Sequence, residues 1–325
     1  MALARKFANY NAPQPPADPL RLTLPPACAG QRLDQALAVL LPQFSRSRLA
    51  LWIRDRHVEL DGHPALPKDR VWGGEKVVVC PVSDPATTAA TAEHIALDIV
   101  HEDAAVLVVA KPAGLVVHPG SGNWSGTMLN ALLAHAPLLS AIPRAGIVHR
   151  LDKDTSGLLV VAKTLEAQTS LVRQLQARTV RREYLALAHG RVARGGTIEA
   201  PIGRHPVQRT RMAVVARGRV ASTHYEVLRH FAHATLLRCQ LETGRTHQIR
   251  VHLQSLGHPL VGDPVYGKKR TADALLARFA RQALHAARLE FVHPESNETV
   301  SWEVPPPADM RALLAALEAE PRPHP

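Results

Sequence analysis

Nine consecutive residues near the middle of the chain, His149-Arg150-Leu151-Asp152-Lys153-Asp154-Thr155-Ser156-Gly157, gather the side chains best suited to chemistry. Asp152 stands two positions after Arg150 and directly before Lys153, and no turn geometry calls for two cations there. A carboxylate in that setting can serve as a nucleophile or as a general base. Asp154, Thr155 and Ser156 have the simpler explanation of a tight turn that hydrogen-bonds its own backbone. For Asp152 itself, spacing alone leaves a catalytic and a structural role both open.

Other patterns invite chemistry and fail on detail. Gly120, Gly122 and Gly126 are spaced G-x-G-x-x-x-G, one residue too long for a dinucleotide loop, and no strand-helix-strand unit surrounds them. The run from Asp152 to Gly157 begins like a calcium loop, but its twelfth position is Lys163 where a bidentate Glu is required. The 18 histidines form no H-E-x-x-H motif and no His/Cys cluster, so no zinc site is expected. Cys28, Cys80 and Cys239 form no C-x-x-C pair and read as packing residues of a reduced, cytoplasmic protein.

The elements that must position Asp152 are short strands. Ile147-Val148 and 158–162 are apolar and bracket the polar loop. Further strands are predicted at 97–100, 106–110, 183–188, 223–228 and 236–241, with helices at 127–135, 167–178 and 246–256 and a last amphipathic helix carrying Met310, Leu313, Leu314 and Leu317. Without regular strand-helix alternation, the class is α+β with a largely antiparallel sheet. Upstream, Leu33, Leu37 and Leu40 mark a helix, Ser45 is placed to cap a second one with Leu49, Trp52 and Ile53, and strands at 58–60 and 76–80 follow. The 325 residues thus divide into a tail over 1–26, a small module over 27–82, a linker over 83–94, a catalytic domain over 95–320 and a tail over 321–325.

Charge points to the partner. Lys plus Arg is 39 against 28 for Asp plus Glu, a formal net charge of +11. Arg46, Arg48, Arg54 and Arg56 crowd the second helix of the small module, while Arg204, Arg209, Arg211, Arg217 and Arg219 occupy a stretch without an acid. Both suit RNA phosphates. The longest apolar run, 104–110, falls well short of the about 20 residues a membrane helix needs.

Two resemblances sharpen this reading. "RLDQALA" followed by "FSRSRLALWIRDRHVELDG" resembles the alpha-L RNA-binding module of ribosomal protein S4 type. "HRLDKDTSG", "RREYLAL", "LETGRTHQIRVHL", "GHPLVGDPVYG" and "RQALHAARLEFVHP", in that order, resemble the pseudouridine synthases of ribosomal and transfer RNA in the family of the A-type large-subunit enzyme. That family breaks the bond between ribose and uracil N1, turns the base and rejoins it through C5. The resemblance implies an isomerase with Asp152 as the essential carboxylate, which adds to the base, traps the sugar or removes a ribose proton. It implies Arg150 filling the place of a flipped-out uridine, Tyr184 packing against the base and Arg245 paired with Asp152, while His149, His247 and Arg250 play supporting parts. It further implies 23S ribosomal RNA or a large-subunit precursor as partner of a monomer without cofactor or metal. Other rRNA sites, tRNA, and a noncatalytic RNA-binding assembly protein are the alternatives.

Overall fold

The computed structural model describes residues 19–41, 44, 46–80, 91–120, 123–208, 210–267, 271 and 273–320, with the side chains of Ser47 and Arg48 left out. The tails at 1–18 and 321–325, the linker up to 90, the helix cap at Ser45, the side chain of Arg48 and the whole of Arg209 therefore lie outside the described residues. The chain divides into two units, Met1–Thr88 and Ala89–Pro325.

In the first unit, β1 (Leu20–Thr23), β2 (Val58–Leu60), β3 (His63–Pro64) and β4 (Lys76–Val79) form an antiparallel sheet in the order β1-β4-β2-β3. Helices α1 (Leu33–Leu40) and α2 (Arg46–Arg54) bury Leu33, Leu37, Leu49 and Ile53 together with Val77 and Val79. The expectation of a tail through residue 26 is corrected at its end: β1 pairs with β4 along its whole length, Leu20 opposite Val79. Its apolar-polar alternation, Leu20-Arg21-Leu22-Thr23, is a strand signal that the surrounding prolines obscured. Arg56 is also corrected, since it lies beyond the end of α2 in a left-handed conformation.

The second unit is built on one sheet of nine strands: β5 (Ile99–Glu102), β6 (Val106–Lys111), β7 (Ser156–Ala162), β8 (Arg181–His189), β9 (Gly196–Glu199), β12 (Ser222–His230), β13 (Ala234–Leu241), β14 (Leu284–Val292) and β15 (Thr299–Glu303). The hairpin β10 (Ile202–Arg204) and β11 (Met212–Val214) stands apart from it. The order runs β5-β6-β7-β14-β8-β13-β12-β9, with β15 pairing β14, and only β7 with β14 is parallel. A largely antiparallel α+β fold is the result. Helices α3 (Met128–His135), α4 (Leu165–Ala177), α5 (Gln248–Ser255), α6 (Ala274–Arg278) and α7 (Ala308–Ala319) complete the unit.

All seven residues of β7 are buried because apolar layers cover both faces. Leu159 and Val161 join one core with Tyr184, Leu237 and Leu253, whereas Leu158 and Val160 join another with Leu171 and Phe291. A fully apolar strand follows from that two-sided burial. The loop carrying Asp152 therefore feeds the most constrained strand of the sheet.

Gly157 makes the join possible. Its φ is +113°, and a Cβ there would meet the Ala286 carbonyl oxygen of β14 at 2.2 Å. Gly157→Ala should therefore push β7 and β14 apart at a cost of at least about 2 kcal/mol. The expected outcome is a melting temperature lower by roughly 4–8 °C, measured by calorimetry, with lost activity because Asp152 lies on the same turn.

Candidate active site

Asp152 opens onto a cavity of about 580 Å³ whose walls include Arg150, Arg182, Tyr184, Arg245, His247 and Arg250. Its loop is tied down from several sides. Lys111, fully buried at the end of β6, donates from Nζ to the carbonyls of Pro112, Leu115 and Lys153 at 2.8–2.9 Å. Burial pulls the Lys111 pKa down to about 7, while Asp154 and Asp152 oppose that pull. Thr155 and Ser156 do more than close a turn: Gln282 donates to the Thr155 hydroxyl at 3.2 Å, and Ser156 bonds His285 at 3.0 Å. Arg281 reaches the Asp154 carbonyl at 3.1 Å. The expected self-contained turn keeps only the Thr155 N–H bond to the Asp152 carbonyl.

The partner of Asp152 is Arg250, not Arg245. Arg250 Nη1 donates to Asp152 Oδ2 at 3.0 Å, while its Nε and Nη2 grip Asp263 in a two-pronged bond of 2.7 and 2.9 Å. Arg245 instead turns its Nε to the Val220 carbonyl at 3.0 Å. The difference lies in where the helix begins. α5 starts at Gln248 with His247 as a left-handed cap, so Arg250 projects from its first turn, and Arg245 precedes the helix. Thr243 and the Arg245 N–H are both bonded to the Gln248 amide, which fixes that start.

Burial of Arg250 would lower its pKa, but Asp263 and Asp152 together raise it above the ordinary value. Asp263 would be raised by burial and is held below the usual carboxylate range by Arg250 and by the N–H groups of Val265 and Tyr266. Among the described residues Asp152 Oδ1 is left with only His247 Nε2, 3.9 Å away. One oxygen is thus anchored, and the other is available to a reactant.

Tyr184 sits on β8 opposite Cys239 and Ala286 with its ring at the cavity wall, 5% exposed. Burial raises its phenol pKa, so it stays protonated. Arg150 is exposed at the cavity and makes no ion pair among the described residues. His149 faces inward: the Val160 N–H donates to its Nε2 at 3.1 Å, which puts the ring proton on Nδ1. Sequence reasoning missed Asp263, Lys111 and Tyr266. Asp263 is the one acid of "GHPLVGDPVYG", and Lys111 ends an apolar strand, so both carried a signal. Tyr266 accepts from the Met212 N–H, bonds His247 Nδ1 and has the guanidinium groups of Arg211 and Arg250 about 5 Å from its ring center.

The arginines assigned to RNA differ in how free they are. Arg46 is bound to buried Asp34 at 3.0 Å; burial would raise that carboxyl, but Arg32 and Arg46 hold it low. Arg54 and Arg56 are exposed. Arg211 bonds Gln208 at 3.0 Å, and Arg217 and Arg219 are exposed beside the β10–β11 hairpin.

Residues 105–255 match the family model "RNA pseudouridylate synthase", and 31–77 match the S4 domain. Over 302 residues the chain is 60% identical to ribosomal large subunit pseudouridine synthase D of Nitrosomonas europaea, covering 92% of this chain and 88% of that protein. The corresponding enzyme of Pseudomonas aeruginosa is 54% identical over 90% of this chain and 93% of its own. The solved structure of human RNA pseudouridylate synthase domain containing 1 superposes with a TM-score of 0.54 at 29% identity, over 71% of this chain and 98% of that one.

Two predictions follow from the ion-pair geometry and the buried imidazole. Arg250→Met strands buried Asp263 without its cation and should cost about 3–5 kcal/mol by chemical denaturation. Adding Asp263→Leu should restore part of that stability while activity stays lost. Burial, with Arg182 nearby, lowers the His149 pKa to about 3 from 6.5. Between those values the unfolded chain binds a proton that the folded chain refuses, so stability is full above pH 6.5 and falls as pH drops. From pH 7.5 to 5 the loss should be about 2 kcal/mol, and His149→Gln, which keeps an acceptor for Val160, should remove it in paired urea titrations.

Proposed function

The chain belongs to the RNA pseudouridylate synthase family, and from that premise we propose that it isomerises uridines of 23S ribosomal RNA with Asp152 as the reacting carboxylate. It is an isomerase with an RNA-binding S4 domain. The observation that carries the assignment of Asp152 is its asymmetric environment, with Oδ2 held by Arg250 and Oδ1 open to the cavity. A carboxylate held and aimed in this way can add to the base, bond to the sugar or take a ribose proton.

Arg150, exposed at the cavity, would occupy the gap left by a flipped-out uridine. Tyr184 would pack against the extruded base. Arg250 acts through Asp152 rather than on RNA, and Arg245 holds the approach to α5 through Val220. Large-subunit RNA as substrate rests on the names of the similar enzymes from Nitrosomonas and Pseudomonas. The reading includes action on precursor or assembled rRNA in the cytoplasm, as a monomer. Among the described residues no helix is long and apolar enough to cross a membrane.

The test is pseudouridine mapping of 23S rRNA from cells with and without the protein, and from cells carrying Asp152→Asn. The substitution should abolish the modification while the purified variant binds rRNA as the unaltered protein does. Turnover near that of the unaltered protein would exclude Asp152. In the S4 domain, Arg54→Ala with Arg56→Ala should weaken binding to rRNA and reduce the slope of log K against log salt by up to about 2, read from filter binding at several salt concentrations.

A further inference from the structure

Each buried ion at the cavity is accounted for except one. Arg250 and Asp263 neutralise each other, and the Lys111 ammonium is surrounded by three carbonyl oxygens. Arg182 is 7% exposed and lines the same cavity, yet no carboxylate among the described residues pairs with it. Its Nη2 makes two bonds at the limit of hydrogen-bond length, 3.4 Å to the carbonyls of Leu241 and Glu242. Its Nε is buried without an acceptor, and its Nη1 has none among the described residues. Burying a guanidinium this way is costly unless something compensates it. Gly244 preserves the space: a Cβ there would meet Arg182 Nη1 at 2.9 Å.

Position says what would compensate it. Arg182 lies two residues before Tyr184 on β8, on the same side of the strand, and its charge is felt by both the Tyr184 phenol and the His149 imidazole. RNA phosphates remain near the protein surface, whereas an extruded base enters the cavity beside Tyr184. We propose that Arg182 is a further catalytic residue, donating to a carbonyl oxygen of the target uracil and stabilising the negative charge that develops there. This rests on the isomerase reading above.

The chemistry requires such a donor on every route open to Asp152. When the bond from C1′ to N1 breaks, its electron pair leaves with the uracil and spreads onto O2 and O4. If Asp152 adds to C6 first, the displaced pair reaches O4. When C5 then bonds to C1′, C5 releases its proton and N1 takes one up, so nothing is gained or lost overall. A fixed donor facing that oxygen in a water-poor site stabilises the transition state more than the neutral base.

The experiment compares the full-length protein with Arg182→Met and Arg182→Lys in single-turnover assays on an rRNA fragment carrying uridine or 5-fluorouridine at the target. Both are read as consumption of the target nucleoside through cleavage of its C1′–N1 bond, because fluorine at C5 cannot leave as the proton does in the last step. Arg182→Met should slow the step by about 100-fold or more with little change in KM, as loss of one oxyanion donor does. The loss should be several-fold smaller on the fluorinated RNA, because fluorine already withdraws charge from the base. Arg182→Lys, which keeps a cation and guards against a folding failure, should fall between, with the same dependence on fluorine. Equal losses on both RNAs, a change confined to KM, or no loss would overturn the role of Arg182 and reduce it to a clamp on Leu241 and Glu242. An unaltered protein that leaves uridine unchanged would overturn the isomerase reading, and this proposal with it.

Discussion

Arg250 shares its three donor nitrogens between two carboxylates, and this division controls the chemistry available at Asp152. Asp263 takes Nε and Nη2, which fixes the plane of the guanidinium and leaves Nη1 pointing at Asp152. A lysine could not do this, because a single ammonium on a flexible stem has no rigid fork to divide. The charges matter as much as the geometry. Asp263 and Arg250 cancel, so the trio keeps one net negative charge, and it resides on the carboxylate that faces the cavity. Without Asp263, Arg250 would be a buried cation with Asp152 as its only counterion, free to take both of its oxygens.

The fold is what makes that trio hold. Asp152 comes from the entry to β7, Arg250 from the first turn of α5 and Asp263 from the segment after α5, separated by 98 and 13 residues from the shared arginine. That last segment is stitched to the sheet, with the Val261 N–H on the Leu187 carbonyl of β8 and the Ala283 N–H on the Val261 carbonyl. Lys111 secures the opposite side through the Lys153 carbonyl. β8, at the middle of the sheet, supplies Tyr184 and Arg182 to the same cavity. The side chains proposed to react thus stand on the centre of a sheet covered on both faces, where sideways movement would disturb close-packed layers.

Legibility from sequence divided along physical lines. Asp152 and Tyr184 were readable because each lies within a short continuous motif. The sheet was readable where apolar runs were nearly unbroken, as in β6 and β7. Arg245 was misassigned because two arginines flank one helix start, and only the left-handed His247 cap decides which of them enters the helix. Asp263 was missed because its role exists only through a contact across 13 residues, which no local pattern records. β1 was missed because the prolines around it outweighed a four-residue alternation, although pairing with a residue 59 positions later, Leu20 on Val79, determines whether it forms. Composition was a poor guide to how the arginines are engaged: Arg46 looked like a free member of an RNA-binding row, but it pairs with Asp34 while staying exposed.

This last point bears on how a protein with a formal charge of +11 divides its cations. Exposed arginines such as Arg54, Arg56, Arg217 and Arg219 are screened by salt within a Debye length of about 8 Å at physiological ionic strength, so any affinity they lend to the proposed RNA contact is affinity that salt can remove. Arg250 and Arg182 are 4% and 7% exposed and hardly feel the solvent ions. Their electrostatic work is done in a low-dielectric wall, where each charge acts at greater strength and cannot be exchanged for a counterion. The same residue type thus works at two depths: exposed arginines offer charge that salt can screen, while buried Arg250 fixes the carboxylates of Asp152 and Asp263.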